Sequence, residues 1–135
     1  MWSILRNMRF ENNDFDKSGS AARVWLFSGF TGDGEKFAHE FSGPESDGRS
    51  FPFKETCLIG RDPDRCAFFI ADPTVSRIHA ELRYFPGQGV GICDLNSGNG
   101  TFVNERRIGS EGHEILEIGS EIRVGSINIT VSYPR

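Results

Sequence analysis

Short runs of aromatic and β-branched residues, each cut off within a few positions by Gly, Pro, Asp or Ser, constrain this chain more than any other feature. They occupy residues 24–30, 36–41, 51–54, 56–60, 66–70, 79–85, 90–95 and 101–103. Side chains of this kind fit a pleated, half-buried surface, and runs this short suit strands rather than helices. Pro86-Gly87-Gln88-Gly89 lies between two of them and reads as a hairpin turn. Gly125-Ser126 separates Ile122-Arg123-Val124 from a last strand that alternates Ile127, Ile129, Val131 and Tyr133. Many short strands at close spacing predict an all-β fold, a two-sheet antiparallel β-sandwich. The Gly- and Ser-rich residues 42–50 read as an extended loop within it, and no internal repeat is visible.

At 135 residues with 37% apolar content and twelve Phe, the chain can build one core of ordinary size. Its formal charge of −4 argues against a broad nucleic-acid or anionic-membrane surface, because both depend on an excess of Lys and Arg. Any anion must therefore be held locally. Cys57, Cys66 and Cys93 show neither CxxC nor Cys/His spacing, and an odd count fits reduced, small buried side chains and a cytoplasmic setting. No metal site or cofactor is expected. No apolar run approaches the roughly 20 residues needed to span a bilayer, and Arg6 and Arg9 interrupt the start too early for a signal segment. Membrane insertion is not expected.

Residues 12–20 are almost wholly Asn, Asp, Lys, Ser and Gly, with only Phe15 to bury, so they read as a tail or linker. The division predicted is a flexible N-terminal tail over residues 1–22 and a folded domain over 23–135. Trp2, Leu5 and Met8 recur at helical spacing, but a helix this short is marginal in water without a partner.

Function concentrates in loops held by a rigid sheet, and two polar clusters sit between the strand-like runs. These are Ser76-Arg77-Ile78-His79-Ala80 and Ser97-Gly98-Asn99-Gly100-Thr101-Phe102-Val103-Asn104, with Gly60-Arg61 ending an apolar run upstream. Together they offer hydroxyls, an amide and guanidinium groups, the donors an anion requires. Asn99-Gly100 could equally be only a tight turn, and Arg61 only a solvated arginine neutralised by Asp62 or Asp64. Ser76, His79 and Asp94 invite a nucleophilic reading, but they come without an elbow or oxyanion-loop signature.

In order along the chain, Gly60-Arg61, Ser76-Arg77-Ile78-His79-Ala80, Asp94-Leu95-Asn96-Ser97-Gly98-Asn99-Gly100-Thr101-Phe102-Val103-Asn104 and Leu116-Glu117-Ile118-Gly119 through Val124-Gly125 resemble the motif set of the forkhead-associated (FHA) domain. The resemblance extends over about residues 24–133. It implies an FHA/SMAD-like sandwich that binds phosphothreonine peptides in loops at one end, without catalysis. By resemblance, Arg61 and Ser76 hold the phosphate, Arg77 assists, Gly98 presents its backbone and Asn99 grips the peptide main chain. Gly60, His79, Gly100 and Thr101 are implied to support the site structurally. A phosphothreonine brings roughly −1.5 to −2 charge and several acceptor oxygens, which suits arginine forks and short donors rather than a general base.

Two departures from the family pattern stand out. Gly98 occupies a position where relatives often carry a side chain that approaches the phosphate. Thr74, in the loop before Ser76, has no charge with which to select a peptide residue. No threonine precedes Thr31, so a phosphothreonine in the chain's own tail is disfavoured and phosphorylated partner proteins in trans are expected. The alternative is a phosphate-independent interaction or assembly module on the same sandwich, using residues 2–8.

Overall fold

The computed structural model describes residues 24–42 and 56–133. Eleven strands follow one another: β1 (Val24–Phe30), β2 (Lys36–Ser42), β3 (Thr56–Gly60), β4 (Phe68–Phe69), β5 (Ala80–Phe85), β6 (Gly89–Asp94), β7 (Thr101–Val103), β8 (Arg106–Arg107), β9 (Glu114–Ile115), β10 (Glu121–Val124) and β11 (Ile127–Ser132). No helix occurs among the described residues. One sheet runs β2-β1-β11-β10-β7-β8 and the other β4-β3-β5-β6-β9. The expected tail, the run at 51–54 and most of the expected loop at 42–50 lie outside the described residues.

Alternation decides which side chains enter the interior. Along β11, Ile127, Ile129 and Val131 are buried while Asn128 and Thr130 are exposed, and β10 answers with buried Ile122 and Val124. The antiparallel register sets Ile122 opposite Ile129 and Phe27 opposite Val131. From the second sheet, Ile59, Phe68, Leu82 and Ile92 join Trp25, Phe27, Ile70 and Val75 in one buried apolar cluster. Each such aliphatic side chain contributes about 1.5–3 kcal/mol on leaving water.

The structure departs from the sequence reading in four places. The sheets are not wholly antiparallel: β4 lies parallel to β3, with Ile59 opposite Phe68 and Gly60 opposite Phe69. Only two residues of the expected 66–70 strand pair in this way, because the Cys66 amide is taken by the Asp62 carbonyl in the preceding turn. Tyr133 does not continue the alternation; the strand ends at Ser132 and the ring is 65% exposed. The two-residue strands β8 and β9 had no apolar signature, since Arg106 and Arg107 are exposed and Glu114 and Ile115 only half-buried at sheet edges.

The β7–β8 hairpin carries a removable local cost. Asn104 and Glu105 both have positive φ, 49° and 71°, and the Asn104 side chain accepts a hydrogen bond from the Glu121 amide at 3.0 Å. Asn tolerates this conformation, whereas Glu meets a Cβ clash of about 1–2 kcal/mol. Glu105→Gly is therefore expected to raise stability by about 0.5–1 kcal/mol, after allowing for glycine's extra freedom when unfolded. Urea denaturation checks this, and an unchanged or lower midpoint contradicts it.

Candidate functional site

The loops after β3, before β5 and between β6 and β7 are laced together by backbone hydrogen bonds. Arg61 N donates to Ser76 O at 3.0 Å, Asp62 N to Arg77 O at 3.2 Å and His79 N to Ile59 O at 2.8 Å. This close approach explains Gly60. A Cβ there would stand 2.2 Å from Arg77 O and 2.7 Å from Cys66 Sγ, so any side chain would push the two loops apart.

Within that frame the polar residues converge on Thr74, Val75 and Ser76. Arg61 Nε donates to Val75 O at 2.8 Å, which fixes the side chain and leaves the two terminal nitrogens of the fork for another partner. Among the described residues no carboxylate lies within ion-pair distance of Arg61, and Asp62 is engaged by Arg65 at 3.0 Å. Ser76 Oγ accepts from Gly98 N at 3.0 Å, so its own hydrogen can point to a further acceptor. The Gly98 amide, the one donor left at that position, thus meets Ser76 directly. Asn99 Nδ2 donates to Thr74 O at 2.8 Å, leaving its Oδ1 as an acceptor. Arg77 is exposed, and its carbonyl accepts from Asp62 N and from Cys66 Sγ.

The Thr74 hydroxyl donates to Asp72 Oδ1 and accepts from Ser126 N at 2.9 Å. It is therefore committed to tying this loop to the β10–β11 turn rather than open to a ligand.

His79 is fully buried and spans two of the loops. Its Nδ1 accepts from Ser76 N at 2.9 Å, which places the ring hydrogen on Nε2, and Nε2 donates to Gly100 O at 2.9 Å. A serine hydrolase would need this imidazole against the Ser76 hydroxyl; instead it meets the Ser76 amide, and the hydroxyl faces Gly98. Thr101, also fully buried, donates its hydroxyl to Asp94 Oδ1 at 2.7 Å. Asp94 additionally receives the Ser97 hydroxyl and, at 3.0 Å, the Ser97 amide, while Ser97 Oγ accepts from Gly100 N. Asp94 thereby organises the Asn99 loop, a role the sequence reading did not assign to it.

The sequence also did not single out Arg107. Its guanidinium flanks Gly100 and, with Arg123, lies over the Phe102 ring, 5.8 Å and 3.9 Å from the centroid. Phe102 faces both arginines across neighbouring strands, so a cationic row borders the Asn99 loop.

Burial pushes the His79 imidazole below its ordinary 6.5, outweighing the Gly100 carbonyl and the Asp94 charge, and burial lowers His39 likewise. For Asp94, burial works against ionisation, but the hydrogen bonds from Ser97 and Thr101 prevail and hold it below 3.8. Groups with lowered folded pKa values bind fewer protons in the native state. Their stability is intact above the unfolded value and is lost as pH falls through the folded one. Thermal midpoints should therefore be level near neutrality, decline below about pH 6.5 as the histidines charge, and fall again below about pH 4. A profile flat from neutrality to about pH 4 would contradict this.

Residues 57–125 match the FHA domain family, over half of the 135-residue chain. The chain belongs to the FHA domain family. Over 119 residues it is 32% identical to the glycogen accumulation regulator GarA of Mycolicibacterium smegmatis, covering 87% of this chain and 72% of GarA. Over 87 residues it is 38% identical to the oxoglutarate dehydrogenase inhibitor of Corynebacterium jeikeium, covering 64% of this chain. It spans only 57% of that inhibitor's length. An FHA domain solved in work on phosphothreonine-dependent FHA domain interactions superposes with a TM-score of 0.60 at 29% identity, covering 84% of this chain and 99% of that one. Antiparallel pairing sets the end of β3, the start of β5 and the end of β6 at the same end of their sheet, and the relatives' names describe a regulator and an inhibitor.

Proposed function

We propose that this FHA domain, residues 23–135, is a non-catalytic module that reads phosphothreonine in partner proteins supplied in trans. The observation that carries the reading is the convergence of Arg61, Ser76 and Asn99 on residues 74–76, each anchored to backbone and each keeping one polar group unspent. The two terminal nitrogens of Arg61 supply a fork for phosphate oxygens and the Ser76 hydroxyl a short donor. Asn99 Oδ1 meets a main-chain amide of an extended peptide. Arg77 adds charge from the exposed side, and Gly98, whose amide orients the Ser76 hydroxyl, acts through that residue. Gly60, His79, Gly100 and Thr101 hold the loops. The three buried cysteines fit a reducing, cytoplasmic setting.

Affinity should be micromolar, about −7 to −9 kcal/mol, because ordering a flexible peptide offsets much of the charged contact energy. Calorimetric titration with phosphothreonine, phosphoserine and unmodified forms of one peptide tests the reading. The phosphothreonine form should bind tightest and the unmodified form weakest; equal binding of all three would end it.

A further inference from the structure

On the second sheet, Glu81 of β5 and Cys93 of β6 are direct cross-strand partners, so their side chains leave the same face. His113, in the loop before β9, reaches over that face. The ligand atoms of Glu81, Cys93 and His113 all lie within 4.8 Å of one another. The imidazole is steered there by a missing side chain: a Cβ on Gly91 would come within 3.0 Å of His113 Cβ and of Phe85 Cε2. The Phe85 ring meets the imidazole edge-on, with centroids 5.2 Å apart, and His113 Nε2 lies 3.0 Å from Glu81 Oε1. Cys93 is buried beneath, while the Glu81 and His113 side chains keep 19% and 14% of their surface in contact with solvent, an opening for an ion.

We propose that Glu81, Cys93 and His113 form a binding site for a borderline-soft divalent cation, with Zn²⁺ the ion that fits best. A thiolate, an imidazole and a carboxylate are the donor set Zn²⁺ takes in four-coordinate sites, with Zn–S near 2.3 Å and Zn–N or Zn–O near 2.0–2.2 Å. Three protein ligands leave the fourth position to water or to an external donor. The hard ions Mg²⁺ and Ca²⁺ prefer all-oxygen cages and fit poorly. Coordination releases the Cys93 thiol proton to solvent. It also replaces the His113–Glu81 hydrogen bond, the imidazole then carrying its proton on Nδ1. Thiolate and carboxylate together balance the dication, so Arg83, whose Nε lies 3.8 Å from Glu81 Oε1, does not oppose a net positive site. Binding should strengthen as pH rises, since the thiol must ionise.

The test is titration of the full-length, chelator-treated and reduced protein with Co²⁺, read by the thiolate-to-cobalt charge-transfer band and the visible bands of a four-coordinate ion. The expected result is saturation at one equivalent, bleaching by Zn²⁺, and loss of the charge-transfer band in Cys93→Ser. His113→Ala and Glu81→Gln, changes at partly exposed side chains, should weaken binding by more than about tenfold and keep the proposal testable if the buried cysteine variant fails to fold. Cys57→Ser serves as control, because Cys57 Sγ lies 3.6 Å from His39 Nε2 and is the rival thiol–imidazole pair. Absence of a charge-transfer band, a band that follows Cys57, or one indifferent to His113→Ala and Glu81→Gln would overturn the proposal.

Discussion

Arg61→Ala is expected to weaken phosphothreonine-peptide binding on the order of a hundredfold while leaving the domain folded. Two or more charge-assisted hydrogen bonds are at stake, each contributing about 1.5–3 kcal/mol, with solvent at the exposed site taking part of that back. The folded state loses only the Nε bond to Val75 O, about 1 kcal/mol or less. Calorimetric affinity and thermal melting on the same variant separate the two effects. Arg61→Lys should recover little, because an ammonium cannot hold Val75 O and present a planar fork at once. Unchanged affinity in Arg61→Ala would remove the residue from the binding site, and with it the central support for phosphate recognition.

His79→Ala should behave in the opposite way. The ring is fully buried and meets both the Ser76 amide and the Gly100 carbonyl, so its removal orphans the Ser76 amide, leaves the Gly100 carbonyl only the longer bond from Gly125 N at 3.3 Å, and opens a void. Each unsatisfied buried group costs about 1–3 kcal/mol, and a total of about 3 kcal/mol or more should lower the melting temperature on the order of 10 °C. Binding should weaken too, even at temperatures where the variant is folded, because the Ser76 loop loses its tether. A midpoint within about 2 °C of the original would show that water or a neighbouring side chain replaces the ring.

The contrast between these two residues also shows what the sequence could reveal. Strands with one face in the core, such as β10 and β11, were legible because alternation survives only where burial enforces it. The edge strands β8 and β9 carry no such pattern, and the parallel β3–β4 contact depends on a turn whose hydrogen bonds no residue preference announces. At the laced loops, motif order pointed to Arg61, Ser76 and Asn99. The tie of Thr74 to Ser126 was hidden, since it joins residues 52 positions apart. For the same reason the separation of Glu81, Cys93 and His113 along the chain kept them from showing any recognisable ligand spacing.

The anchoring of Arg61 to Val75 O, Ser76 to Gly98 N and Asn99 to Thr74 O has a kinetic consequence. Each of these side chains already holds a backbone partner, so under the proposed function the domain should lose little conformational freedom on binding a peptide. Rearrangement should then fall mainly on the peptide. Association rates should differ little among phosphothreonine peptides of similar charge, and discrimination between them should lie in how long each stays bound.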